Sequence, residues 1–137
     1  MDTGLVCGDC YDFELIDKLF RPHDNLTVGV TLKADGSISK EIIGSVMQAE
    51  KCSPEFTDDW AVLVNAFKNP SLKMVSFTIT EKGYAIYGTD GNLLTAFEED
   101  LKNPPAKAQM FLSRLVVLLF ERFNAGKLPI ALVSMDN

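Results

Sequence analysis

The residues best suited to chemistry stand at the ends of two apolar stretches. Val75, Ser76, Phe77, Thr78, Ile79 and Thr80 are mostly β-branched or aromatic, as in a buried strand, and the run then breaks into Glu81, Lys82 and Gly83. A second run, Pro129 to Ser134, empties into Met135, Asp136 and Asn137. Open α/β sheets bind ligands at the carboxyl ends of their strands. The expectation is that these two strand ends lie side by side and form part of one site. The plainer alternative makes Glu81-Lys82 a solvated turn and Asp136-Asn137 a cap for a following helix.

A third acid, Asp9, follows the short apolar run Leu5-Val6-Cys7 and Gly8. An acid just past a strand end is placed to bind the hydroxyl pair of a ribose, as in dinucleotide-binding folds, and equally to cap the next helix. Cys7, Cys10, Cys52 and the single histidine, His23, supply four possible zinc ligands. Structural zinc sites usually show two close pairs, however, and this chain has one. Cys7 also falls inside the apolar run, where a thiol behaves as a small buried residue. No metal site is expected, and His23, after Pro22, reads as a surface loop residue.

The 137 residues suffice for one domain, and 47% of them are hydrophobic, so a sizeable core is available. The formal net charge of −6 argues against nucleic acid or an anionic membrane as partner, because both require basic patches. The longest apolar run, Leu115 to Phe120, is far too short for a membrane span. The N-terminus does not read as a secretory leader, and the three cysteines are an odd number, so a reducing, cytoplasmic setting is expected.

The elements that must position the candidate residues follow from periodicity. Phe13, Ile16, Leu19 and Phe20 recur at helical spacing, closed by Arg21-Pro22. Leu26, Val28, Val30 and Leu32 alternate with polar or small residues, Ala34-Asp35-Gly36-Ser37 is a turn, and Ile38 to Val46 returns, which predicts a β-hairpin over 26–46. Trp60, Leu63, Val64 and Phe67 form a helical stripe that begins near Thr57-Asp58-Asp59 and ends at Asn69-Pro70. Thr95-Ala96-Phe97-Glu98 is a capping-box pattern, predicting a short helix to about Lys102. The longest helix is predicted over 106–125, with so little polar face that it should be buried on two sides. The order helix, loop, buried strand is half of a βαβ unit, and the hairpin reads as an antiparallel extension. The glycine-rich loop G-x-G-x-x-G that holds a pyrophosphate is absent, so a dinucleotide domain would have its first βα unit elsewhere.

Three segments together resemble the mannitol dehydrogenase family, the polyol-specific long-chain dehydrogenases. Val75 to Tyr84, VSFTITEKGY, is similar to the family's VSLTVTEKGY. Ile42-Ile43-Gly44-Ser45-Val46 is similar to its VIGSI, and Val133 to Asn137 is similar to its MSCDN, with methionine in place of cysteine. The TEKGY motif is the specific one, and the likeness covers nearly the whole chain. It corresponds to the second part of the family's N-terminal domain only. The G-x-G-x-F-H-R-A loop that precedes this point in the family, and the helical catalytic domain with its lysine, asparagine and histidine that follows, are not in this sequence. The resemblance therefore implies an incomplete Rossmann-like, doubly wound α/β sheet carrying an antiparallel hairpin, residues 1–137 being a partial NAD-binding domain of a longer enzyme.

The activity implied is NAD-dependent, metal-independent interconversion of a sugar alcohol or aldonic acid and its keto form, with a small polyol or hexuronate as substrate. Carried over by position, Asn137 donates a hydrogen bond to the reacting oxygen and Glu81 tunes the catalytic lysine or relays a proton. Thr78 and Thr80 line the nicotinamide side, and Asp9 meets the adenosine ribose, favouring NAD over its phosphorylated form. The segment alone is expected to be inactive and, with sheet edge and apolar helix surface uncovered, to self-associate. The competing reading is a self-contained α/β binding or interaction module derived from such a domain.

Overall fold

A computed structural model describes residues 4–79 and 81–136, with Glu81 and Lys82 described by their backbone alone. The chain forms two compact units, Met1–Cys52 and Ser53–Asn137.

In the first unit, β1 (Leu5–Asp9) and β4 (Val46–Lys51) are parallel neighbours, with Cys7 opposite Ala49 and Asp9 opposite Lys51. Parallel strands need a crossover connection. Here it consists of a helical segment followed by the hairpin of β2 (Thr27–Leu32) and β3 (Ile38–Ile43). The helical segment changes pitch twice. It starts as a single α turn, α1 (Phe13–Leu15), widens to a π-helix over Ile16–Phe20 and tightens to a 3-10 turn over Arg21–His23. Ile16 is fully buried. Arg21 donates to the Glu50 carboxylate at 2.8 Å, and Lys51 pairs with Asp17 at 2.7 Å, tying the segment to β4.

The hairpin has the predicted turn, with Gly36 at φ +82°, a left-handed conformation that glycine adopts without steric cost. Its returning strand is shorter than predicted. It stops at Ile43, and after Gly44-Ser45 the chain leaves the hairpin to pair with β1 as β4. Periodicity hid this break because Val46 continues the apolar run.

The second unit is built on two helices and two strands. Helix α2 (Thr57–Lys68) packs against helix α5 (Phe111–Asn124), burying Leu63 and Phe67 from one and Leu115 and Leu118 from the other. Strands β5 (Met74–Phe77) and β6 (Ala131–Ser134) are parallel, and Phe77 meets Phe111 with ring centroids 5.3 Å apart. Between them lie a one-turn helix, α3 (Glu81–Tyr84), and α4 (Thr95–Lys102), where a short helix was predicted.

Helix α5 starts five residues later than the predicted 106–125. The Asp100 carboxylate accepts the backbone N–H groups of Gln109 and Met110, at 2.8 and 3.0 Å, and holds that stretch extended. Within this chain one face of α5 is buried, by Arg114, Leu115, Leu118 and Arg122; Val116, Phe120 and Phe123 are exposed, on the side for which the sequence suggests cover by another domain or subunit.

Arg122 is the most buried polar residue described, 2% exposed, and its whole guanidinium is used. Nε donates to the Leu128 carbonyl at 3.0 Å. Nη1 donates to Phe67 and Asn69 at 2.6 and 2.9 Å, and Nη2 to Leu72 and Pro129, both at 2.8 Å. All five N–H groups of the fork thus end on backbone carbonyls. Those carbonyls belong to the C-terminal end of α2, the lead into β5 and the lead into β6. Carbonyls at a helix C-terminus have no intrahelical donor, and the cation also faces the negative end of the helix dipole.

Candidate functional site

The parallel register sets Met74 opposite Ala131 and Phe77 opposite Ser134, so the carboxyl ends of β5 and β6 are level. The Met135 N–H continues the ladder by donating to the Phe77 carbonyl at 2.9 Å. The two strand exits singled out in the sequence therefore lie side by side.

The chain leaves β5 through Thr78 and Ile79 and enters α3. Gly83 sits close to this exit: a Cβ there would lie 3.1 Å from the Ile79 Cβ, so a larger residue would need the Ile79 side chain to shift by a few tenths of an ångström. Tyr84, closing α3, sends its hydroxyl back over β6. Its O–H donates to Asp136 Oδ2 and lies 2.9 Å from Ser134 Oγ. Ser134 Oγ donates to the same Oδ2 at 2.8 Å, and the other carboxylate oxygen, Oδ1, accepts the backbone N–H of Ile79.

The electrostatics follow from these bonds. Donation from Tyr84 holds the Asp136 carboxyl below its ordinary value of 3.8, helped by Ser134 and the Ile79 N–H and opposed by partial burial. Reciprocally, the hydrogen bond to Asp136 raises the Tyr84 phenol above 10.0, because the carboxylate favours the protonated partner. The cluster at neutral pH is an anion flanked by two hydroxyls that keep their protons.

Of the predicted site residues, Thr78 is exposed, one residue beyond β5. Glu81 is the first residue of α3; its side chain is not described. Thr80 and Asn137 lie outside the described residues. Asp9 belongs to the first unit and is the last residue of β1 rather than a residue beyond it. Its Oδ1 accepts the backbone N–H groups of Tyr11 and Asp12, at 2.8 and 2.7 Å, a turn ahead of α1 rather than the expected helix cap, since the N-cap position is Asp12. Tyr84 and Ser134 escaped sequence reasoning. The available signal was the Ser134-x-Asp136 spacing, which puts both side chains at one strand end.

Among the described residues no group of three or more His, Cys, Asp or Glu is arranged to hold a metal ion. Cys7 is half-buried, Cys10 and Cys52 are buried, and none of the three is in a disulfide. Burial, and then the nearby Asp9 charge, raise the Cys7 thiol above its ordinary value, which keeps it protonated and unreactive. An open groove of about 390 Å³ is lined by Pro54, Thr57, Trp60, Ala61, Val64, Asn65 and Ala106; none of these titrates, so the groove offers shape without acid–base chemistry. No described helix is long and apolar enough to cross a membrane.

Fold and site together define an α/β segment with a polar cluster at the carboxyl ends of parallel strands. No protein-family model matches the chain. It is 48% identical over 136 residues to D-mannonate oxidoreductase of Thermotoga maritima, covering 99% of this chain and 25% of that protein. It is 33% identical over 108 residues to D-arabinitol 4-dehydrogenase of Ralstonia nicotianae, covering 78% of this chain and 22% of the relative. Among solved structures, Pseudomonas fluorescens mannitol 2-dehydrogenase, in a ternary complex with NAD and D-mannitol, superposes with a TM-score of 0.77 at 24% identity, over 99% of this chain and 27% of that one. A substrate-free D-sorbitol dehydrogenase gives a TM-score of 0.72 at 26% identity over 90% of this chain and 25% of that one. The chain is thus similar, along nearly its whole length, to proteins of the mannitol dehydrogenase family, and it spans about a quarter of the length of the relatives it matches.

Proposed function

We propose that this chain is part of an NAD-dependent dehydrogenase that interconverts a sugar alcohol or aldonic acid and its ketose or keto acid, of the mannitol/fructose or mannonate/fructuronate type. The observation that carries the reading is the parallel pairing of β5 and β6, which brings the exit carrying the TEKGY motif beside the exit leading to Asn137. The 48% identity to a D-mannonate oxidoreductase supports the same assignment.

In this reading residues 1–137 are a partial, Rossmann-like NAD-binding domain. Asp9 holds the adenosine ribose. Its Oδ1 is fixed by two backbone N–H groups, which orients the carboxylate to accept from a hydroxyl pair through Oδ2. Thr78 and Thr80 line the nicotinamide. Bound NAD supplies the hydride chemistry. Asn137 donates its amide N–H to the reacting oxygen, where charge develops, and Glu81 takes part in proton transfer. The pyrophosphate cradle and the catalytic base are not among these residues, so the segment alone is inactive. Its three cysteines, none in a disulfide, suit a reducing, cytoplasmic setting.

The test uses two polypeptides. One of the relatives' full length carrying this segment should oxidise NADH with fructuronate, tagaturonate or fructose, and lose that activity on Asn137→Ala. The 137-residue chain should bind NADH weakly or not at all, read by quenching of its one tryptophan, Trp60. Tight, saturable binding to the short chain, with no turnover by the long one, would favour a self-contained binding module instead.

A further inference from the structure

Three hydrogen bonds from three different elements converge on the Asp136 carboxylate. One comes from the backbone N–H of Ile79 at the exit of β5, one from the phenol of Tyr84 at the end of α3, and one from the hydroxyl of Ser134 at the end of β6. Ile79 and Tyr84 bracket the segment that contains Glu81, and Asp136 immediately precedes Asn137. One carboxylate therefore closes the ring from β5 through α3 back to β6.

We infer that Asp136 is a positioning residue, a clamp that holds the Glu81-bearing turn α3 against the end of β6 and so fixes the segment carrying Glu81 relative to the backbone leading to Asn137. The inference rests on the functional reading above for its catalytic consequence, and on geometry alone for the clamp.

Three features support a clamp rather than an incidental surface contact. First, both carboxylate oxygens are engaged, Oδ1 by backbone and Oδ2 by two hydroxyls, so the carboxylate orientation is fixed. Secondly, the partners are distant in sequence, 57 residues for Ile79 and 52 for Tyr84, so the bonds tie separate elements together. Thirdly, α3 is a single turn and cannot hold itself in water, since a lone helical turn fixes several residues for one hydrogen bond. Its placement must come from tertiary anchors, and Tyr84 is an anchor to the carboxylate that also binds Ile79. Tyr84 is itself exposed, which suits a tether reaching across a strand end better than a core residue.

The clamp is tested on this chain by amide hydrogen exchange in wild type, Asp136→Asn and Tyr84→Phe. Asp136→Asn keeps the shape and removes the charge; Tyr84→Phe keeps the ring and removes only the hydroxyl. Asp136→Asn should speed exchange at Ile79 roughly tenfold, the loss of one charge-assisted bond, while the ladder amides of Val75 and Val133 stay within about twofold. Unchanged exchange at Ile79 overturns the clamp.

The catalytic consequence is read in the full-length polypeptide. Asp136→Asn and Tyr84→Phe should each lower kcat by about 10- to 100-fold, the scale of a misplaced catalytic group, with the KM for NADH within about twofold. If Asn137→Ala abolishes turnover while these two variants leave kcat unchanged, the positioning role is refuted and the functional reading stands. If Asn137→Ala is without effect, the functional reading and the catalytic consequence fall together, while the exchange result decides the clamp by itself.

Discussion

Replacing Arg122 tests the energetic account of the second unit most directly. The guanidinium is 2% exposed and makes five hydrogen bonds to backbone carbonyls, without an ion pair to any described residue. Lysine has three donors instead of five. Arg122→Lys therefore leaves at least two of the carbonyls of Phe67, Asn69, Leu72, Leu128 and Pro129 unpaired. A buried unpaired carbonyl costs about 1–3 kcal/mol, so the substitution should destabilise by about 2–6 kcal/mol although it conserves charge. Whole-domain stabilities are about 5–15 kcal/mol, so Arg122→Ala, which strands all five, should leave the unit unfolded or nearly so. The assay is urea denaturation followed by far-ultraviolet circular dichroism at constant slope. Lys18→Ala is the control, because the Lys18–Glu14 pair is exposed on both sides and its loss should hardly move the midpoint. If Arg122→Lys unfolds at the wild-type midpoint, or Lys18→Ala is equally damaging, the carbonyl cage is not what holds the unit together.

Other outcomes follow from the same structure. Spectrophotometric titration should find Tyr84 ionising above the ordinary value of 10.0, and Asp136→Asn should bring it back towards that value. The sign fixes the linkage. The Tyr84 bond stabilises the fold at neutral pH and is lost as pH rises through the raised phenol value. The depressed Asp136 carboxyl contributes a small, local stabilisation that is present above 3.8 and disappears as pH falls through its lower folded value, read as an Asp136 carboxyl titration by nuclear magnetic resonance that lies below 3.8. Iodoacetamide at neutral pH should modify Cys7 far more slowly than a free thiol, and unfolding should release all three cysteines to rapid labelling. Val28, Val30, Leu32, Ile38 and Ile42 share one exposed face of the hairpin, so the chain should sediment as more than a monomer at micromolar concentration, and Val30→Lys with Ile42→Lys should shift it towards monomer while the far-ultraviolet spectrum is kept.

How much of this was legible in the sequence depends on whether a residue's role is set by its neighbours in the chain or by distant partners. Val75 to Phe77 announced β5 through side-chain type, and Trp60, Leu63 and Phe67 announced α2 through spacing. The pairing of the two strand exits followed from a general rule of α/β sheets. Strand β4 was hidden because Val46-Met47-Gln48-Ala49-Glu50-Lys51 reads as the polar continuation of a hairpin. Its strand pairing depends on β1, some forty positions earlier, and its buried Glu50 on Arg21. The start of α5 was misplaced because Ala106 to Met110 contains good helix formers, and the Asp100 carboxylate that holds the end of that stretch extended belongs to another helix. Nothing local to Arg122 distinguishes it from a solvated arginine in a helix, because its five acceptors come from three other segments. At the site, residue types marked the strand exits, but the Tyr84–Asp136 bond spans 52 residues and no periodicity encodes it.

Arg122 and Asp136 act on the same pair of strands from opposite ends. The cation gathers carbonyls at Leu72 and Pro129, two positions ahead of Met74 and Ala131 where β5 and β6 begin. The anion gathers a backbone N–H and two hydroxyls just beyond Phe77 and Ser134, where those strands finish. The strands are only four residues each, and a ladder that short specifies its register weakly by itself. Charged side chains at the two ends supply that specification, one by cancelling carbonyl dipoles and the other by collecting donors. Their contributions differ in kind. The cage around Arg122 is sealed from water, so its loss should lower the stability of the whole unit. The bonds to Asp136 are largely open to solvent, so their loss should leave global stability nearly intact and change only the local opening of the strand exit. A stability loss for Asp136→Asn as large as that for Arg122→Lys would contradict this division between a structural end and a functional end of one strand pair.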